Sequence, residues 1–194
     1  MTIRNIITVP DKILRKISTP IDNVGAKEKK LIDDLFESMY HSNGIGLAAI
    51  QIGIAKRVIV LDVGNKDKKK DPICLINPVI KSKSNKLSTY EEGCLSIPDT
   101  FIEIERPSIC DVEYLDYNGK KQNIKCEGLL STCIQHEIAH CDGELIIDFL
   151  SKLRKDIVIK KLSKQKNNTD RIVVWLMLKK IIFMGTPIFS VPIL

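Results

Sequence analysis

Aromatic side chains make up only 5% of this 194-residue sequence, and it has just three histidines. It contains no internal repeat, which excludes solenoid and propeller architectures. The first residues, MTIRNIITVPDKILRK, are broken by charge before any apolar stretch reaches signal-peptide length, and they are only modestly Arg-rich. Without a secretory signal, the six cysteines (Cys74, Cys94, Cys110, Cys126, Cys133, Cys141) are expected to be reduced thiols rather than a disulfide set. A chemically active one is then a metal ligand or a nucleophile. The segment GIGLAAIQIG (44–53) has glycine spacing but no G-K-[ST], so it is not a nucleotide-phosphate loop. Lys179 and Lys180 split the apolar C-terminal run, which argues against a membrane anchor.

What is present is a globular composition, 44% hydrophobic and 28% charged, enough for one domain with a sizeable core. The net charge of +6 is unevenly spread. Residues 1–150 carry 20 Lys/Arg against 22 Asp/Glu, whereas residues 151–194 carry 10 against 2. A basic end suits an anionic neighbour such as RNA, or is simply a solvated helix.

Leu31, Leu35 and Met39, flanked by Ile32 and Phe36, predict a helix over 26–42. RVIVLDVG (57–64), ICLINPVI (73–80) and ICDVEYLDY (109–117) read as strands. Asn118-Gly119 predicts a type I′ hairpin turn, with QNIKCE as the returning strand. GLLSTCIQHEIAHCDG reads as a helix stopping at Gly143, and 151–165 as a second helix with Ser151 as its N-cap.

The chemistry centres on QHEIAH (135–140). On a helix, His136 and His140 project from one face one turn apart, so their rings can converge on a single cation. Neutral imidazole suits Zn or Fe(II). Glu137, beside the first ligand, is placed to take a proton from water activated at the metal. The alternative is an ordinary helix with incidental histidines. The stripe continues back through Cys133 and Leu129, so the metal face runs into an apolar patch suited to a substrate side chain. Leu130, Ile134 and Ile138 occupy another face as core. A catalytic metal site keeps three protein ligands. Glu144 and Asp148 lie downstream, and Cys94 lies upstream in the Gly-flanked EEGCLSIP (91–98). Gln51, polar within an apolar run, needs a partner if buried and is either a bland hydrogen-bonding group or an oxyanion donor.

Taken together, GIGLAAIQ (44–51), EGCLS (92–96) and QHEIAH (135–140) resemble, in this order and at these spacings, the three motifs of peptide deformylases. The likeness covers about residues 1–165. It implies an α+β fold, with antiparallel sheets around a central metal-binding helix and a C-terminal helix outside. It implies that Cys94, His136 and His140 hold one divalent metal ion, natively Fe(II) and replaceable by Zn, Ni or Co. It makes Glu137 the general base and then acid, with Gln51 and the Leu95 N–H stabilising the oxyanion. Gly46 would bond the peptide backbone, and Ile45, Leu129 and Cys133 would receive the methionine side chain. The implied reaction removes the formyl group from N-formylmethionyl nascent peptides and releases formate. The implied setting is a monomer in the bacterial cytoplasm, off the membrane, with the basic helix 151–166 available to the ribosome. The domain is expected over 1–166, followed by a linker and apolar tail over 167–194.

Three positions depart from the family pattern. Ala139 stands where an Asp is usual, Cys141 where a Leu is usual, and Phe101 where some members carry a peptide-binding Arg. Losing a carboxylate behind a ligand can cost about 10–100-fold in metal affinity or activity. Arg106, a natural partner for such an Asp, is expected to lean on Glu92 instead. The tail MLKKIIFMGTPIFSVPIL (177–194) resembles the start of methionyl-tRNA formyltransferase and reads as in-frame read-through or a misplaced stop. Two other functions fit parts of the pattern. A different HExxH metallopeptidase would cleave unformylated peptides, and a non-catalytic RNA-associated protein would close its metal site with a fourth ligand.

Overall fold

The computed structural model describes residues 2–64 and 69–164, and the expected linker and formyltransferase-like tail lie outside them. Two antiparallel sheets enclose one buried helix. The larger sheet has the order β1-β2-β3-β6-β7, built from β1 (Gly46–Ala48), β2 (Val58–Leu61), β3 (Ile73–Lys83), β6 (Ile109–Leu115) and β7 (Lys121–Glu127). The smaller is a hairpin of β4 (Leu87–Cys94) and β5 (Ile97–Pro107). Helix α1 (Ala26–His41) covers one side of the large sheet, and α2 (Gly128–Cys141) is the central helix. Residues 152–164 form a third helix, α3. This is the expected α+β arrangement.

Helix α1 starts where the Glu28 carboxylate accepts the Gly25 N–H at 3.0 Å. Ile32, Leu35 and Met39 are fully buried against Leu47, Val58, Val60 and Ile76. Each such side chain contributes roughly 1.5–3 kcal/mol. Leu31, part of the expected stripe, is only partly buried. β2 is buried at all four positions, which is why it reads as a continuous apolar run. β3 is interrupted by Asn77-Pro78, where the register with β6 shifts. Asn77 takes a left-handed φ of 52°, and its amide bonds both the N–H and the C=O of Ile21.

The β6–β7 turn is not the type I′ turn expected. Only Gly119 of the Asn-Gly pair has positive φ, at 76°. The loop closes with Gly119 N–H on Asp116 O and Asp116 N–H on Lys120 O, while the Asp116 carboxylate accepts from the N–H groups of Asn118 and Lys120. The aspartate organises a three-residue loop with Gly at the bulge position, which relieves Asn118 of the second positive φ.

Helix α3 packs Leu162, Val158 and Ile159 onto a cluster with Leu14, Ile97, Ile104 and Ile147. Asp148 bonds Arg15 from the N-terminal segment and Lys155 from α3, which ties three elements together. Ser151 directly precedes this helix, and its carbonyl accepts from Lys155 N–H.

Candidate active site

Helix α2 is buried from Ser131 through Ile138, and again at His140 and Cys141. A helix enclosed on nearly all sides tolerates polar groups only where they have partners or chemistry. Gln135 is anchored structurally, donating to Pro107 O at 3.0 Å and to Ser131 O at 2.9 Å. His136 and His140 sit one turn apart with ring centroids 5.0 Å from each other.

The third member comes from the β4–β5 hairpin. The register slips between Gly93 and Cys94, and such a bulge re-aims the following side chain. Gly93 permits this because an added Cβ would lie 2.8 Å from the Phe101 ring. Cys94 Sγ then stands 3.2 Å from His140 Nε2. The ligand atoms of Cys94, His136 and His140 all lie within 4.8 Å of one another, the only such His/Cys/Asp/Glu group among the described residues. Of the candidates for third ligand, Cys94 is the one brought in, while Asp148 is committed to Arg15 and Lys155.

Protonation suits a cation site. His136 Nδ1 faces Glu92 Oε2 at 2.8 Å, which leaves Nε2 as the ligand nitrogen. Burial pulls the His136 pKa down, but contacts with Cys94 and Glu92 outweigh it and lift it to about 10, so a proton and a metal compete there. Burial, reinforced by the positive charge of His136, holds His140 well below its usual value and keeps it neutral. Burial raises the Glu137 carboxyl to about 7, with His136 pulling the other way. Glu137 Oε2 is buried without a hydrogen-bond partner among the described residues. Two imidazoles, a thiol and an unpartnered carboxylate fit one divalent cation with room for a reactant.

β1 and the short 3-10 helix Ala49–Ile52 form the opposite wall. Gly46 presses against Glu137, since a Cβ there would lie 2.5 Å from its Oε1. Gln51 is 2% exposed. Its Oε1 accepts from Ala48 N–H at 2.8 Å, and its Nε2 donates to Ser96 Oγ at 3.1 Å and approaches Cys94 Sγ at 3.7 Å. Ile7 N–H bonds Gln51 O, and Val9 N–H bonds Ser96 O, so the extended N-terminal segment ties the Gln51 and Ser96 backbones together.

Between the walls lies a cavity of about 440 Å³. Ile45, Gly46, Gln51 and Cys94 line it, as do Leu95, Leu129, Cys133, His136 and Glu137. His140 joins through its contact with Cys94. Every residue expected at the site therefore meets there. Burial pushes the Cys133 thiol up to about 12, so it behaves as neutral wall rather than nucleophile. Tyr90 and Thr132 also line the cavity and were not read from the sequence. Thr132 precedes Cys133 on α2, and a hydroxyl beside an apolar stripe gives no periodic signal.

The polypeptide deformylase family model matches residues 3–156. The chain is 59% identical over 174 residues to a peptide deformylase of Pelagibacter ubique, covering 90% of this chain and all of that one. It is 51% identical to one from Rhizobium meliloti, covering 84% of this chain and 94% of that one. Among solved structures, peptide deformylase from Ehrlichia chaffeensis superimposes with a TM-score of 0.83 at 39% identity, covering 87% of this chain and 99% of that one. The same enzyme in complex with actinonin gives 0.82 at 41% identity, covering 85% and 98%.

Proposed function

The chain belongs to the peptide deformylase family, hydrolases that remove the formyl group from the N-terminal formylmethionine of new polypeptides, and we propose how its residues divide that work. The observation that carries the assignment is the Cys94–His136–His140 group with the unpartnered Glu137 carboxylate beside it.

Cys94, His136 and His140 hold the metal, with Fe(II) as the native ion and Zn, Ni or Co as substitutes. When bound, the ion supplies Lewis acidity, polarising the formyl carbonyl and making water a usable nucleophile near neutral pH. Glu137 takes the proton from the attacking water and delivers it to the departing amine as the C–N bond breaks, so the products are formate and a free N-terminus. The Gln51 amide nitrogen and the Leu95 N–H donate to the carbonyl oxygen as negative charge builds on it. Gln51 is fixed for this by Ala48 and Ser96, so little reorganisation is needed at the moment of reaction. Gly46 aligns the peptide backbone, and Ile45, Leu129 and Cys133 receive the methionine side chain. The enzyme works as a cytoplasmic monomer, with its basic C-terminal helix toward the ribosome.

Formate release from a formyl-Met peptide tests this reading. Cleavage of an unformylated peptide without formate release would support the metallopeptidase alternative instead.

A further inference from the structure

Three large apolar side chains that line the cavity are also open to water: Phe101 at 67%, Ile45 at 45% and Leu129 at 42%. Lining the cavity while facing solvent places them at its mouth. Ile45 and Leu129 already have a task inside, with the methionine side chain. Phe101 has none there. It stands opposite Gly93 across the β4–β5 hairpin, and its ring comes within 2.8 Å of where a Gly93 Cβ would be. The ring is thus seated on bare backbone, one residue from Cys94, with its remaining surface uncovered. Apolar side chains left open side by side at a binding cavity mark where a ligand's own apolar surface goes. Glu91 and Asp99 line the same cavity, but both are exposed, and an ion pair formed in water there contributes little.

Resting on the reading that the methionine side chain lies between Ile45, Leu129 and Cys133, we propose that Phe101 is a specificity-determining residue for the residue that follows the formylmethionine, and that it takes an apolar side chain there, above all an aromatic one. With methionine inside, the next side chain is the first to emerge. One extended residue advances only about 3.3 Å, so that side chain is still at the mouth. A ring laid on the Phe101 ring removes apolar surface of both from water and adds an offset or edge-to-face contact. Serine at that position leaves Phe101 as wet as in the free enzyme. The contact is remote from the bond that breaks, so it is equally strong before and in the transition state and acts on KM rather than kcat.

The test measures kcat and KM of the metal-loaded enzyme on formyl-Met-Phe-Ser, formyl-Met-Ser-Ser, formyl-Met-Lys-Ser and formyl-Met-Ser-Phe. The wild type favours formyl-Met-Phe-Ser through a lower KM. Phe101→Ala lowers the ratio of kcat/KM between formyl-Met-Phe-Ser and formyl-Met-Ser-Ser by roughly three- to ten-fold, again through KM. Phe101→Tyr keeps the ring and retains most of the ratio. An unchanged ratio in Phe101→Ala overturns the inference, and so do equal losses on all four peptides, which mark a structural role. A loss greatest on the lysine peptide makes the ring a seat for a cation and overturns the apolar assignment. A loss confined to formyl-Met-Ser-Phe moves the contact one residue on and overturns the assignment to the second residue. Wild-type enzyme that releases formate from none of the peptides defeats the functional reading itself, a result distinct from all of these.

Discussion

Glu92 and His136 meet across 2.8 Å, and the carboxylate that holds the imidazole is itself gripped by Arg106 through Nε at 2.5 Å and Nη2 at 2.9 Å. All three residues are buried. Despite the burial that opposes ionisation, bonds from His136 and Arg106 hold the Glu92 carboxyl below its usual pKa. The Arg106 guanidinium also lies 5.2 Å from the centroid of the Phe149 ring. Arg106 therefore has a carboxylate partner without an aspartate at position 139, as the sequence led us to expect.

Glu92→Gln keeps the shape and removes the charge that orients His136. Metal affinity measured by chelator competition should fall about 10–100-fold. Glu92→Ala additionally strands a buried guanidinium and should cost about 3–5 kcal/mol in denaturant unfolding. Ala139→Asp should bring no gain in metal retention, because Arg106 is already paired. A clear gain would show that position 139 remains a defect.

Gly46→Ala introduces a methyl group where Glu137 already sits. The carboxylate must move, and turnover should drop by roughly 10²-fold or more, the scale of losing a general base. Far-UV circular dichroism and melting temperature should stay close to wild type. A fully active Gly46→Ala would mean that Glu137 does not need its observed position.

Cys94→Ser replaces a soft ligand with a hard, neutral one. Metal content after gel filtration should fall while the fold persists, and activity should return only partly when divalent metal is added in excess. Full metal retention would remove Cys94 from the ligand set.

Asp148 gives a pH signature of stability. Burial opposes its ionisation, but bonds from Arg15 and Lys155 prevail and hold its carboxyl well below the usual carboxylate range. A depressed folded pKa contributes stability above the unfolded value of about 3.9 and loses it as pH falls through the folded one. Asp148→Asn should therefore melt below wild type near neutral pH, and the gap should close in acid. A gap that stays constant with pH would show that the ion pairs do not carry the effect.

The parts of the fold legible in the sequence are those with one clean period. The repeat of Leu31, Leu35 and Met39 marked α1, although Ile32 rather than Leu31 joins its fully buried face, and the apolar runs marked β2 and β3. The β4–β5 hairpin was not read as strands, although Ile102, Ile104 and Arg106 alternate inward against exposed Glu103 and Glu105. An arginine at the third inward position disguised the pattern, and its partner Glu92 becomes visible only once β4 pairs with β5. The Asn-Gly turn misled because Asp116, two residues upstream, changed the loop type. At the site, ligands on one helix were legible from a four-residue spacing. Cys94 comes from a different element, and its place was indicated by the family resemblance rather than by any local periodicity. Thr132 left no trace, because a place in the cavity wall is a property of the packed neighbourhood.

The most direct measurement is formate release from a formyl-Met peptide by metal-loaded wild type and Glu137→Gln, with metal content determined on both samples. Wild type should release formate, and the variant should retain metal while losing roughly 10²–10⁴-fold in rate. A metal-loaded wild type that releases no formate, or a Glu137→Gln variant that turns over as fast, would contradict the account.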